Sequence, residues 1–168
     1  MAVSTDIAAS YRGPRRVMRK ILARGASEGQ ALMLNLSACL VIYIAQWPRL
    51  SRDAFYDPNI PLEARLGGAL IAWLAIAPLL FYGIAALSHL IAKLFRGKGD
   101  WLGARIALFW SLLVVSPICL LQGLVAGYIG PSLQLDIVGG LLLVAFFYIW
   151  ISNLIEAEQA VTPSAPMA

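Results

Sequence analysis

Long stretches without a single charged residue constrain this chain more than any other feature. No Asp, Glu, Lys or Arg occurs in residues 66–92, 106–135 or 137–155. A helix that crosses a bilayer needs about 20 mostly apolar residues, so each stretch is long enough to contribute one. Of all residues, 60% are apolar and only 13% are charged, far from the balance of soluble domains. The pattern excludes a soluble enzyme domain, a disulfide-stabilised secreted module and a disordered chain.

A weaker apolar segment precedes these three, and together they predict four membrane spans. The expected spans are residues 30–47, 61–95, 101–128 and 135–155. Pro48 is expected to end the first, and Pro78 and Pro117 are expected to kink the second and third, because proline removes a helix hydrogen bond. We therefore predict an all-α, polytopic transmembrane helical bundle with four spans, or five if one long segment breaks at its proline.

The distribution of Lys and Arg predicts the orientation in the membrane. Basic residues are abundant before the first span and between the second and third, balanced by acids after the first, and absent after the third. Cytoplasmic loops carry the excess of Lys and Arg, so both termini are expected in the cytoplasm. We divide the chain into a cytoplasmic N-terminal segment (1–29), a transmembrane domain (30–157) and a disordered tail (158–168).

The N-terminal segment contains a predicted basic amphipathic surface helix at residues 14–24. Val17, Ile21 and Leu22 recur at helical spacing among basic residues. Such a helix is expected to lie on anionic lipid, although the charges would equally serve to set topology. The residues expected to contact the membrane surface or a partner are Arg15, Arg16, Arg19, Lys20 and Arg24. Nucleic-acid binding is not expected, because the net charge of +4 is small and topology accounts for the basic residues.

Polar residues within the spans are sparse and suggest no catalytic centre. His89, the only histidine, lies one helical turn before Lys93, and we expect it to bond to a neighbouring helix near the cytoplasmic side. A proton relay would need a carboxylate at membrane depth. Cys39 and Cys119 with a single histidine match no metal-ligand spacing, so we expect no metal or cofactor and no enzymatic activity.

Small residues at helical spacing predict close helix packing. Gly123 and Gly127 form a small-xxx-small pair, a spacing that lets helix backbones approach closely in lipid. Packing within the bundle is favoured over contact with a second copy. The full set of expected packing residues is Gly68, Ala72, Gly83, Gly103, Ala107, Gly123 and Gly127.

The region from the second span into the third carries a family resemblance. The second span ends in a small basic glycine turn at residues 96–100, and the next span has Arg105 near its start and Pro117 near its middle. This arrangement resembles bacterial members of the Yip family, small membrane proteins named for their interaction with Ypt/Rab GTPases in eukaryotes. The resemblance covers roughly residues 66–128.

The resemblance implies a non-enzymatic integral protein of a bacterial inner membrane that acts as a scaffold or membrane-organising factor. It adds Arg96 and Lys98 of the glycine turn to the expected docking face. The expected partners are the bilayer, anionic lipids, and other membrane proteins or a second copy. Two alternatives remain at this point: an accessory subunit of a respiratory or photosynthetic complex, and a small neutral-solute transporter with a path near Gln122.

Overall fold

The computed structural model describes residues 3–159, and these residues form helices joined by short turns. Two short helices, α1 (Val3–Arg12) and α2 (Pro14–Ala23), precede the apolar segments. The long helices that follow are α3 (Glu28–Tyr56), a continuous helix made of α4 (Leu62–Ile71), a π-helical turn (Ala72–Ile76) and α5 (Ala77–Leu94), then α6 (Trp101–Tyr128) and α7 (Leu133–Gln159).

Four of the described helices are long and apolar enough to cross a membrane. The second of them, Leu62–Leu94, has 33 residues and stays one helix, so the five-span alternative is not realised. This confirms the predicted all-α bundle with four candidate spans. By length and composition, the chain has the helices of a multi-pass membrane protein.

Helix α6 is the centre of the bundle and packs against α1, α3, α5 and α7. Its closest neighbour is α3. The two helices can approach closely because α6 has glycine at the two contact positions, where α3 leaves no room for a side chain. A Cβ on Gly123 would lie 1.8 Å from the carbonyl oxygen of Ala45, and one on Gly127 would lie 2.4 Å from Cβ of Pro48. The predicted pair therefore forms a backbone-to-backbone contact within the chain.

The structure contradicts the predicted effect of Pro48, and the predicted kinks at Pro78 and Pro117 stay predictions. Pro48 lies inside α3, which continues to Tyr56, so the expectation that it ends the first span was wrong. Gly127 provides the space for its ring. The π-helical turn directly precedes Pro78, whose missing N–H leaves a carbonyl of that turn without its usual donor. Near Pro117, the freed carbonyl of Leu113 accepts a hydrogen bond from Ser116 Oγ at 2.8 Å.

The N-terminal helices form a hairpin that packs on the protein. Pro14 begins α2, and Gly25, with a φ of 79°, follows its end. The apolar face of α2 is buried: Val17, Met18 and Ile21 are 3%, 0% and 6% exposed. We expected this helix to lie on lipid; its apolar face instead contacts the bundle, chiefly α7.

Helix α1 was not predicted, because its sequence is short and only weakly amphipathic. It packs on α6, where Tyr11 Oη donates to the carbonyl oxygen of Val114 at 2.5 Å. Ser10 Oγ accepts a hydrogen bond from Trp110 Nε1 at 3.0 Å. The domain boundaries also change, since α3 begins at Glu28 and α7 includes Glu158 and Gln159. The rest of the predicted disordered tail lies outside the described residues.

Candidate functional site at the basic end of the bundle

One end of the bundle collects most of the charged side chains, and we call it the basic end. It consists of the α1–α2 hairpin, the start of α3, the turn at residues 95–100 with the adjoining ends of α5 and α6, and the last two turns of α7. Arg49, Arg52 and Arg65 are the basic residues of the opposite end, and Arg19, Arg24, Lys93, Arg96, Lys98 and Arg105 lie at this one. Because the number of candidate spans is even, the start of α3 and the end of α7 lie on this same side.

The centre of the basic end is a buried histidine–carboxylate pair. His89 Nδ1 on α5 and Glu158 Oε1 on α7 are 2.6 Å apart, and their side chains are 0% and 7% exposed. The other carboxylate oxygen, Oε2, accepts the backbone N–H of Gly99 at 3.1 Å. The expectation that His89 bonds to a neighbouring helix is therefore confirmed. A buried polar pair of this kind connects two helices that have few other contacts.

The turn at residues 95–100 has glycine at positions 97 and 99 because the end of α7 packs directly on it. The backbone N–H of Lys98 donates to the carbonyl of Glu158 at 2.9 Å. A Cβ on Gly97 would lie 2.5 Å from Glu158 Oε2, and one on Gly99 would lie 2.6 Å from the carbonyl oxygen of Ala157. A side chain at position 99 would force the backbone of α7 away, and one at position 97 would displace the Glu158 carboxylate. The end of α7 therefore packs on this turn. Lys98 is exposed.

One aromatic contact also positions His89. The indole of Trp101, at the start of α6, lies with its centroid 4.6 Å from the imidazole centroid, and Lys93 Nζ lies 5.4 Å from the same indole. Asp100 caps α6, since its Oδ1 accepts the N–H of Gly103 at 2.7 Å. His89 Nε2 is buried and has no hydrogen-bond partner among the described residues.

Two ion pairs attach the N-terminal hairpin to α7 and α3 to α6, and a third lies within the hairpin. Arg19 Nε is 2.7 Å from Glu156 Oε1, Arg24 is 3.6 Å from Asp6, and Arg105 on α6 contacts Glu28. The hydrogen bond and charge of Glu156 raise the pKa of the Arg19 guanidinium above its usual value. Arg19 is largely exposed, so solvent weakens this pair, and the buried apolar face of α2 contributes more to the attachment.

An apolar groove opens beside the pair, between α5 and α7. Both helices pack on α6, and they leave a cavity of about 500 Å³ at the basic end and an adjoining one of about 550 Å³ further along. Trp150 lines both cavities. Residues that line the first cavity include Ser88, Ile91, Arg96, Ile151, Leu154 and Glu158.

The predicted docking residues are only partly brought together. Arg15, Arg16 and Lys20 are exposed on α2, whereas Arg19 and Arg24 are engaged in ion pairs. Arg96 and Lys98 are exposed on the glycine turn, and Arg96 lines the groove. Within the described residues, no group of three or more His, Cys, Asp and Glu is placed to hold a metal.

The predicted packing residues also divide into two groups. Gly103 and Ala107 are buried on α6, like Gly123, and a Cβ on Gly103 would lie 3.4 Å from Cβ of Ala157. Gly68, Ala72 and Gly83 are exposed, and a Cβ on Gly68 or Gly83 would meet nothing within 4 Å. These three small residues of the second span therefore make no close packing contact inside the chain.

Sequence reasoning assigned no role to Glu156 and Glu158. The signal was present in the topology. In a four-span bundle the second and fourth spans end on the same side, so a histidine near the end of one and carboxylates at the end of the other lie at the same level. No family model matches the chain, and neither a curated protein nor a solved structure matches it. Membership of the Yip family accordingly stays a prediction from the residues of the α5–α6 region.

Proposed function

We propose that this chain is a non-enzymatic integral membrane protein that organises the membrane by pairing with a second copy of itself through α4. The observation that carries the proposal is an unused face of small residues. Ala64, Gly68 and Ala72 follow one another at four-residue spacing and are all exposed. In lipid, such a face lets two helix backbones approach closely, and a copy of the same face is complementary to it.

The contrast with α6 supports a role for this face between molecules. Gly123 and Gly127 use the same spacing and close directly on α3. Only 11% of the apolar window of Leu62–Leu94 is buried inside the chain, against 56% for α6. A helix with small residues at packing spacing and so little internal contact has surface available for a partner helix.

The basic end supports a placement in a bacterial inner membrane with this end in the cytoplasm. Basic residues concentrate where the first described span begins and the last one ends. Lys and Arg near span ends favour the cytoplasmic side. The resemblance of residues 66–128 to the Yip family agrees with a non-enzymatic, membrane-organising role.

The test is the mass of the protein after extraction into native nanodiscs at endogenous expression. A complex whose mass equals two copies supports the proposal. A complex with one different protein at constant ratio would make the chain an accessory subunit instead. A free monomer would contradict self-association.

A pair of substitutions locates the contact. Gly68→Leu places a branched side chain on the α4 face and is expected to convert the dimer into monomer. Gly140→Leu is the matched control, because Gly140 on α7 is also exposed, has nothing within 4 Å of its Cβ position, and is followed four residues later by the bulky Val144. If Gly68→Leu leaves the mass unchanged, α4 is not the interface.

A further inference from the structure

The groove between α5 and α7 has the shape of an acyl-chain site. Its walls are apolar residues on the outside of the bundle, including Ile84 and Ile91 on α5 and Phe147 and Ile151 on α7, each between 40% and 50% exposed. From Leu143, which lines the far cavity, to Glu158 at the basic end, α7 rises about 22 Å at 1.5 Å per residue. One leaflet of hydrocarbon is about 15 Å deep, so the groove spans a leaflet.

Arg96 lies where the groove opens at the basic end, and it has no ion-pair partner among the described residues. Arg96 lines the cavity and is exposed, and its guanidinium makes no hydrogen bond or ion pair with the described residues. Arg19, Arg24 and Arg105 at the same end each face a carboxylate. The nearest acid in the groove is Glu158, whose carboxylate oxygens are occupied by His89 and by the N–H of Gly99. Arg96 is therefore available to an anion.

Arg96 has a backbone conformation that is unusual for a residue with a side chain. Its φ is 68°, the left-handed region that normally favours glycine, and it is the only non-glycine residue with positive φ in residues 3–159. The N–H of Gly97 donates to the carbonyl of Ala92 at 2.8 Å and that of Arg96 to Lys93 at 2.9 Å, which closes the end of α5. A glycine at 96 would form this turn with less strain, so arginine here points to a use for its charge.

We propose that this groove binds one anionic glycerophospholipid, with its phosphate on Arg96 and one acyl chain between α5 and α7. A single cation at the interfacial end of an otherwise apolar groove complements an amphiphile with one charged end. The proposal concerns a different surface from the α4 face, so it stands or falls independently of self-association.

The experiment measures lipid retention on the purified full chain by native mass spectrometry, with phosphatidylglycerol and phosphatidylcholine as probes. Wild-type protein is expected to retain phosphatidylglycerol preferentially. Arg96→Gln is expected to lower that retention roughly tenfold, because a charge-assisted hydrogen bond is lost. Arg49→Gln, which removes an equal charge from an exposed position at the opposite end of the bundle and does not line the groove, is the control and should retain the lipid like wild type. Equal retention by Arg96→Gln and wild type would overturn the proposal.

Two further variants separate binding from folding. Arg96→Gly removes the charge and relieves the left-handed strain, so retention should fall while Tm is unchanged or higher. Ile151→Trp fills the groove at a half-exposed position and is expected to lower retention of both lipids. Undiminished retention in Ile151→Trp would show that the acyl chain does not lie between α5 and α7.

Discussion

Helices α6 and α7 have the same mean hydropathy, 2.1 over their most apolar windows, and nearly the same length. Their places in the structure are nevertheless opposite, since 56% of the α6 window is buried inside the chain and only 6% of the α7 window is. Hydropathy measures how favourably a helix leaves water, and lipid satisfies it as well as protein does. The difference teaches that in this protein packing is decided by small residues and a few polar contacts.

The sharpest test of this comparison replaces one glycine on each helix. Gly123→Leu on α6 should destabilise the fold by roughly 3 kcal/mol, because its side chain would enter the space of the Ala45 carbonyl. Gly140→Leu on α7 should change stability little, because nothing lies within 4 Å of its Cβ position. Thermal melting in one detergent measures both. Equal melting temperatures for the two variants would remove the distinction between the helices.

The second test loosens the end of α7 at its buried contact with His89 and the glycine turn. Glu158→Ala removes the acceptor of His89 and of the Gly99 N–H and should cost about 2 kcal/mol, because a buried donor is left unpaired. Glu158→Gln, which keeps an acceptor oxygen, should cost less. Hydrogen exchange of the last turns of α7 reports the change, with Glu63→Ala at the opposite end as the control. Unchanged protection in Glu158→Ala would mean that the pair does not hold α7.

The smallest expected effect concerns the contact of α1 with the centre of the bundle. Tyr11→Phe deletes the hydroxyl that donates to the Val114 carbonyl and should lower stability by about 1 kcal/mol. Tyr148→Phe is the matched control, because Tyr148 is exposed on α7. Thermal unfolding of both proteins gives the comparison. A larger loss of stability for Tyr148→Phe than for Tyr11→Phe would contradict the conclusion that the α1 hydrogen bond stabilises the fold more than the exposed Tyr148 does.

Part of the candidate site was accessible from sequence and part was not. The single histidine near the end of the second span predicted an interhelical bond, but the identity of its partner depended on the level at which α7 ends. The sequence showed the glycines of the turn as a motif. The steric need for them is visible only in the structure, where Glu158 and Ala157 lie too close to leave room for a side chain. The basic amphipathic pattern of α2 predicted a helix, yet it cannot specify whether lipid or protein covers the apolar face.

The sequence by itself determined the positions and helical character of the apolar spans, because uncharged length and the hydrogen-bonding needs of a backbone in lipid favour helices there. It also placed the positive charge at one end. The structure decided that Leu62–Leu94 stays one helix, which gives four candidate spans and not five. Only the tertiary structure decided that α6 is central, that Gly123 packs while Gly68 does not, and that Glu158 pairs with His89. These outcomes depend on which faces meet, and lipid-facing and protein-facing apolar surfaces have the same composition.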